Sequence, residues 1–443
     1  MITVAGGRFA PGHVGELTRL IPFEMVDHAL VEAGAVQSRL RDLPSRVIVY
    51  LLLAASLFGE LGYVGVWQRL VSGLDGLDLA TPTASALCQA RRRVGVKPLR
   101  LLFDLLRGPA PSVAAAGVRW RGLLVCAIDG TTLSCADSAA NLAAFTKHRC
   151  NNGGSGYPLI RVLVLVACGT RTVIDAVFGP TTAGETTYAL RLLPSLRQGM
   201  IVLADRNFGA ADLLTKVAAT GADVLVRLKD NRRLPVARRH SDGSYLSVLG
   251  ALRVRIVECE IAITTTTGRR TGVYRLATTL LDPHRYPAVD IVRLYHDRWE
   301  IETAYLEIKS TILGGRVLRA HTPAGVTQEI YALLTTYQIL RLAMADATDS
   351  QPGLDPDRAS FTIALNTARD LLIQATNVIA ETTIDLVGAI GQLILANLMP
   401  DRRIRTTPRI VKRAISKYNA KGVVDRTTYK ATITIDILAP PTP

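Results

Sequence analysis

Residues 295–310 read YHDRWEIETAYLEIKS, and the spacing of four of them decides how the chain is read. Tyr295, Arg298, Glu302 and Lys309 follow one another at steps of three, four and seven. A helix turns about 100° per residue, so with Tyr295 at zero the other three fall near about 300°, 340° and 320°, a stripe about 60° wide. Ile301, Ala304, Ile308 and Ile312 fall at roughly 180–260°, an apolar flank that can pack on a sheet. Glu300 and Glu307 lie near about 140° and 120°, away from the cations. One carboxylate is thus set in a row with two cations and a phenol, a mixture suited to a metal ion held beside a phosphate backbone.

Two further acids end apolar runs. LLVCAID closes on Asp129 and MIVLAD on Asp205, each a short buried strand delivering a carboxylate at its C-terminal end. Ligands and chemistry gather at such strand ends in α/β sheets. Taken singly, such an Asp often serves as a turn or cap residue, and Arg298 with Glu302 reads as a solvated i,i+4 pair. Asp137 and Asp175 are competing acids beside strands. Jointly, three carboxylates without a His or Cys cluster favour a hard cation, Mg²⁺ or Mn²⁺, over zinc. Two such ions activate a water or a 3′-hydroxyl and stabilise the leaving oxygen in attack on phosphorus.

The 443 residues carry a formal net charge of +15, which points to a polyanion partner, most simply nucleic acid. Ten Lys and Arg against three Asp after residue 400 supply +7 of that surplus. Six scattered cysteines without a CxxC pair read as small core residues in a reducing cytosol. No N-terminal export signal and no apolar run long enough to span a bilayer are visible, so a cytoplasmic protein with no membrane contact is expected.

Residues 14–75 look helical. A second helical pair follows: Thr83 caps SALCQARRRV, Gly95 breaks it and Lys97-Pro98 opens LRLLFDLLRG. Helix, Gly turn and helix with an Arg91-Arg92-Arg93 cluster suits a DNA-reading unit, and equally a helical bundle with a charged surface. Gln89, Arg92 and Arg93 are its candidate DNA contacts. From 121 the texture alternates: strands at 123–129, 159–167, 172–178, 200–205 and 223–228, helices at 185–197 and 209–220, a mixed sheet covered by helices. A basic stretch from 227 leads into two antiparallel strands joined at Gly268-Arg269-Arg270. Helices follow at 295–313, after 325 and within 359–399.

The Tyr-x2-Arg-x3-Glu-x6-Lys spacing resembles the signature of bacterial insertion-sequence transposases of the insertion-element-four type. IDGTTL at Asp129, LADRNFGA at Asp205, and the segments LPSRVIVYLLLAASLFGELGYVGVWQRL and QARRRVGVKPLRLLFD are also similar to that family, so the likeness covers roughly 14–345. It implies an α/β chain with an RNase H-like catalytic core carrying a β-rich insertion, flanked by helical N- and C-terminal regions. The expected limits are 1–115 for a helical DNA-binding domain, 116–228 and 291–345 for the core, 229–290 for the insertion, and 346–443 for a helical region with a basic tail. The resemblance makes Asp129, Asp205 and Glu302 a catalytic and metal-binding triad for two Mg²⁺ ions, replaceable by Mn²⁺. Arg298, Lys309 and Tyr295 would grip DNA phosphates, while Trp299 packs. The implied activity is binding of terminal inverted repeats, phosphodiester cleavage and strand transfer into target DNA, by a homodimer at the bacterial nucleoid. The alternatives are an inactive DNA-binding relic and a purely hydrolytic RNase H-like nuclease. The insertion has only Tyr245, Tyr274 and Tyr286 as aromatics. A hairpin route using an aromatic beside an extruded base therefore lacks an obvious Trp.

Overall fold

The computed structural model describes residues 1–110, 118–150, 153–265, 268–375, 387–400 and 431–438. The chain divides into two compact units, Met1–Arg197 with Arg298–Pro400, and Gln198–Asp297 with Asp401–Pro443.

In the first unit the helix Ser45–Leu57 is mainly apolar, with Arg46 as its one charged residue, and it is buried almost throughout. Such a helix belongs at the centre of a bundle. It packs against the 27-residue helix Pro323–Asp349, which also meets Lys97–Leu106. Buried amides on the long helix stitch the parts together. Gln338 accepts the Val173 N–H and donates to the carbonyls of Leu106 and Gly108. Gln328 donates to the carbonyls of Arg91 and Gly95, satisfying the C-terminal end of Ala84–Val94. Gly95, with φ of 70°, makes the expected break between the two short helices. The strands Leu123–Ser134, Leu159–Ala167 and Val173–Pro180 form an antiparallel meander.

A buried charge cluster locks the same unit. Arg171 pairs with Glu300, Glu307 and Asp357, and Arg341 also grips Glu307. The Tyr337 hydroxyl adds a bond of 3.0 Å to Glu307.

In the second unit Met200–Ala204 and Asp223–Arg227 are parallel neighbours with the helix Ala211–Ala219 between them in sequence. Asp223–Arg227 then pairs antiparallel with Gly268–Thr278, which forms a long hairpin with Leu252–Thr265. These are the β-rich strands expected after residue 250, but Gly268-Arg269-Arg270, expected to join them, is already paired within the second strand.

Four sequence expectations need correction. The strand expected at 123–129 runs on to Ser134, so Asp129 sits within it and not at its end. The helix at 185–197 is α-helical only over Glu185–Ala189 and continues as a 3₁₀ turn through Ser195, with Pro194 inside it. The helix at 295–313 is not one regular helix: Ala288–Tyr295 tightens to 3₁₀ geometry at His296–Arg298, resumes at Trp299–Leu306 and widens to a π-helical stretch at Glu307–Ile312. The region after 431 holds a strand, Ala431–Ile437, paired along Leu252–Thr265. The basic residues 402–430 lie outside the described residues. Among the described residues no helix is long and apolar enough to cross a membrane. Cys126, Cys135, Cys168 and Cys259 are buried as expected, whereas Cys88 is exposed.

Candidate active site

The strand Leu123–Ser134 is buried from Leu124 to Ile128 and emerges at Asp129. Its apolar run ends there because the next residues face partly accessible space. Asp129 and Thr131 share one face of the strand by the two-residue alternation. The helix Trp299–Leu306 turns Ile301 and Ala304 inward, with Ile308 and Ile312 continuing the buried row, as the apolar flank required. Glu302 is left half-exposed.

The guanidinium of Arg298 reaches both acids. Its Nη2 lies 3.2 Å from Glu302 Oε1, and its Nη1 lies 4.0 Å from Asp129 Oδ2. The two carboxylates thus converge on a single cation. Lys309 Nζ lies 3.2 Å from the Thr131 hydroxyl. Burial pushes the Lys309 ammonium below its usual value. Trp299 is partly exposed, with the Arg298 guanidinium 5.3 Å from its ring centre.

Two residues of this neighbourhood were not singled out from sequence. Thr131 could have been found from its place two residues beyond Asp129. Tyr305, three residues after Glu302, is buried, and its hydroxyl donates to the Asp129 carbonyl while accepting the Val164 N–H at 3.2 Å. Asp129 and Val164 face each other across the ladder. Burial first, and the Asp129 charge second, hold the phenol well above its ordinary range, so it stays a donor.

In the second unit Asp205 immediately follows Met200–Ala204 and caps a 3₁₀ turn, its carboxylate accepting from the Asn207 N–H at 2.8 Å. The Tyr295 hydroxyl donates to the Ala204 carbonyl at 3.1 Å, one residue before Asp205. Tyr295 is buried, so in this structure its hydroxyl serves the strand rather than open solvent.

Arg298, Glu302 and Lys309 therefore belong with Asp129 in the first unit, and Tyr295 and Asp205 belong to the second. Gln89 and Arg92 are exposed on Ala84–Val94, away from its buried face of Leu87, Ala90, Arg91 and Val94. Arg93 is exposed as a residue but spends one nitrogen on the Leu43 carbonyl at 3.1 Å. Among the described residues no three His, Cys, Asp or Glu side chains cluster as a metal-ligand group. Oxygen donors converging on one positive charge nonetheless fit a hard divalent cation, and no thiolate or imidazole competes in that cluster.

An α/β chain presenting strand-borne and helix-borne acids beside cations has the makings of a polynucleotidyl transferase, and comparison with known proteins gives the family. Residues 11–104 match the insertion element 4 transposase N-terminal family, and residues 120–339 match the transposase DDE domain. The chain belongs to the insertion element 4 family of DDE transposases, whose core is RNase H-like. It is 27% identical over 412 residues to the transposase InsG for insertion sequence element IS4 of Escherichia coli (strain K12), covering 89% of this chain and 91% of InsG. It is 25% identical over 205 residues to the putative transposase InsZ of the same organism, covering 46% of this chain and 67% of InsZ. A solved piggyBac transposase synaptic complex with hairpin DNA aligns with a TM-score of 0.46 at 11% identity, covering 88% of this chain and 86% of that one.

Proposed function

We propose that this transposase binds the terminal inverted repeats of its element, cleaves the phosphodiester bonds there and joins the freed ends to target DNA. The observation that carries the chemistry is the meeting of Asp129 and Glu302 on Arg298. Asp205 joins them as the third acid on its place in the sequence. These three would hold divalent ions, Mg²⁺ or Mn²⁺, which when bound supply an activated oxygen nucleophile and charge for the leaving oxygen.

The remaining work falls to the chain's own side chains. Arg298 holds the two carboxylates toward one point and sets a positive charge beside a bound phosphate. Lys309, half-buried beside Thr131, adds a second cation on the same helix. A cation in a partly dry position interacts more strongly with a phosphate than one in water. Tyr295 secures the carbonyl before Asp205 and so fixes the strand end that carries it. Gln89 and Arg92, exposed on one helix, suit base edges in a major groove, Gln to adenine and Arg to guanine.

The test uses a supercoiled donor bearing the element ends in Mg²⁺. The wild-type chain should cut it, and Glu302→Gln should not, while both bind an end duplex with similar affinity because phosphate contacts supply the binding. A wild-type chain that binds but never cuts would establish the inactive relic. A Glu302→Gln chain that still cuts would remove Glu302 from the triad.

A further inference from the structure

A second site lies within the first unit, on residues the cleavage chemistry does not use. The turn after Ser45–Leu57, the helix Ala84–Val94 and the N-terminus of Pro323–Asp349 enclose a cavity of about 750 Å³. That is the size of a small-molecule pocket. Arg91 forms part of its wall and is 8% exposed. Its guanidinium lies 3.8 Å from the ring centre of Tyr63, and its Nε has no hydrogen-bond partner among the described residues. Burying a cation with an unsatisfied donor is costly, so an arginine held this way is set to receive an anion.

The rest of the lining agrees. Arg92, Arg316 and His321 are exposed residues on the same cavity. Thr322 caps the long helix through the Gly325 N–H, and Ala324 and Gly325 bring that helix's positive end to the wall. Arg319 is already engaged by the carbonyls of Leu61, Ala55 and Phe58, and is left out of the count. The carboxylates nearby are engaged too. Glu329 accepts the Tyr63 hydroxyl and the Ala320 N–H at 3.1 Å, and Glu60 lies 3.9 Å from Arg369. The volume exceeds what one phosphate needs and leaves room for a sugar and base.

We propose that this cavity seats one phosphate-bearing nucleotide, with Arg91, Arg316 and the N-terminus of Pro323–Asp349 around its phosphate. The nucleotide is either a unit of a DNA strand or a free mononucleotide. The inference stands apart from the acid triad, and its test reads binding alone.

Cys88 is an exposed thiol on the same wall and reports occupancy. The full chain is alkylated with iodoacetamide, and the Cys88 peptide is followed by mass spectrometry with deoxyadenosine, deoxyadenosine monophosphate or a short single-stranded oligodeoxynucleotide present. The monophosphate or the strand should slow Cys88 alkylation, and deoxyadenosine should not. Arg316→Ala, at an exposed loop position that leaves the core intact, should raise the protecting concentration about tenfold. Protection by the strand alone, lost in Arg316→Ala, assigns the seat to DNA; protection at lower concentration by the monophosphate assigns it to a free nucleotide. Protection by the bare nucleoside, protection unchanged in Arg316→Ala, or no protection by either phosphate-bearing probe overturns the proposal.

Discussion

Replacing Tyr305 with Phe removes one oxygen and keeps the ring, so it isolates the bridge between the strand of Asp129 and its neighbour. Two hydrogen bonds disappear, one to the Asp129 carbonyl and one from the Val164 N–H. If the gap stays open, a buried donor and acceptor are left unsatisfied at about 1–3 kcal/mol each, for a total of roughly 2–4 kcal/mol after relaxation. If the strands close and pair directly, the loss falls to about 1 kcal/mol, but Asp129 moves with its strand. Both outcomes are readable. Chemical denaturation should show a loss of about 1–4 kcal/mol. Single-turnover cleavage at saturating DNA should slow about tenfold, with end binding unchanged and a higher Mg²⁺ requirement, since a displaced ligand weakens an ion before it weakens phosphate contacts. A Phe variant with wild-type stability and wild-type cleavage across the Mg²⁺ titration would refute the idea that this hydroxyl positions Asp129.

Other expectations follow from the same geometry. Glu307→Gln leaves Arg171 and Arg341 short of their shared carboxylate and should cost about 3–5 kcal/mol by denaturation; near-wild-type stability would contradict the buried cluster. Glu300 and Glu307 are therefore unsuitable as inert controls for Glu302. Lys309 has its proton affinity lowered by burial, so its charge is lost as pH rises through that lowered value, below the usual lysine range. Between the folded and unfolded values the unfolded chain binds the extra proton, so this group's penalty on stability is relieved as pH rises. Cleavage should fall on the alkaline side, and Lys309→Arg should move that limb upward; an unmoved limb would take Lys309 out of the phosphate grip. Cutting the chain after Pro400 removes the strand Ala431–Ile437 together with the basic segment, so truncation should destabilise the second unit. Neutralising Lys and Arg within 402–430 by substitution should instead flatten the salt dependence of DNA binding by about 0.9 per lost phosphate contact, and an unchanged slope would place that segment off the DNA.

The strand ending before Asp205 was legible because a strand covered on both faces is a continuous apolar run, and polarity returns at its end; at Asp129 the same signal marked only where the strand emerges, since pairing carries it on to Ser134. Residues 159–167 matched to the residue for that reason. The inward row of Ile301, Ala304, Ile308 and Ile312 was legible from helical spacing. The wheel could not show that the helix tightens before Trp299 and widens after Leu306. The Glu307 carboxylate is held by Arg171 and Arg341, residues 136 and 34 positions distant, and local periodicity carries no trace of such partners. Tyr305 was hidden for a similar reason, since its task depends on a ladder 141 residues away at Val164. ATITIDI, at 431–437, does alternate as a strand should, but the positive charge before it drew the reading toward a polar tail. The cavity beside Arg91 has no local signature, because its walls come from three separated stretches.

The interleaved path of the chain also sets an order of events during synthesis. Asp129 leaves the ribosome long before Glu302, which lies 173 positions further along the chain. At about 5–20 residues per second that interval is roughly 9–35 s. Throughout it the nascent first unit holds one acid of its pair and lacks the arginine on which the two converge. The second unit waits longer still for Ala431–Ile437 to complete its sheet. If the proposed function holds, a chain in this condition presents its N-terminal helices to DNA before it holds the acids that cut. On the proposed function, recognition is available before catalysis, and the acid pair is complete only when about a third of the chain is left to make.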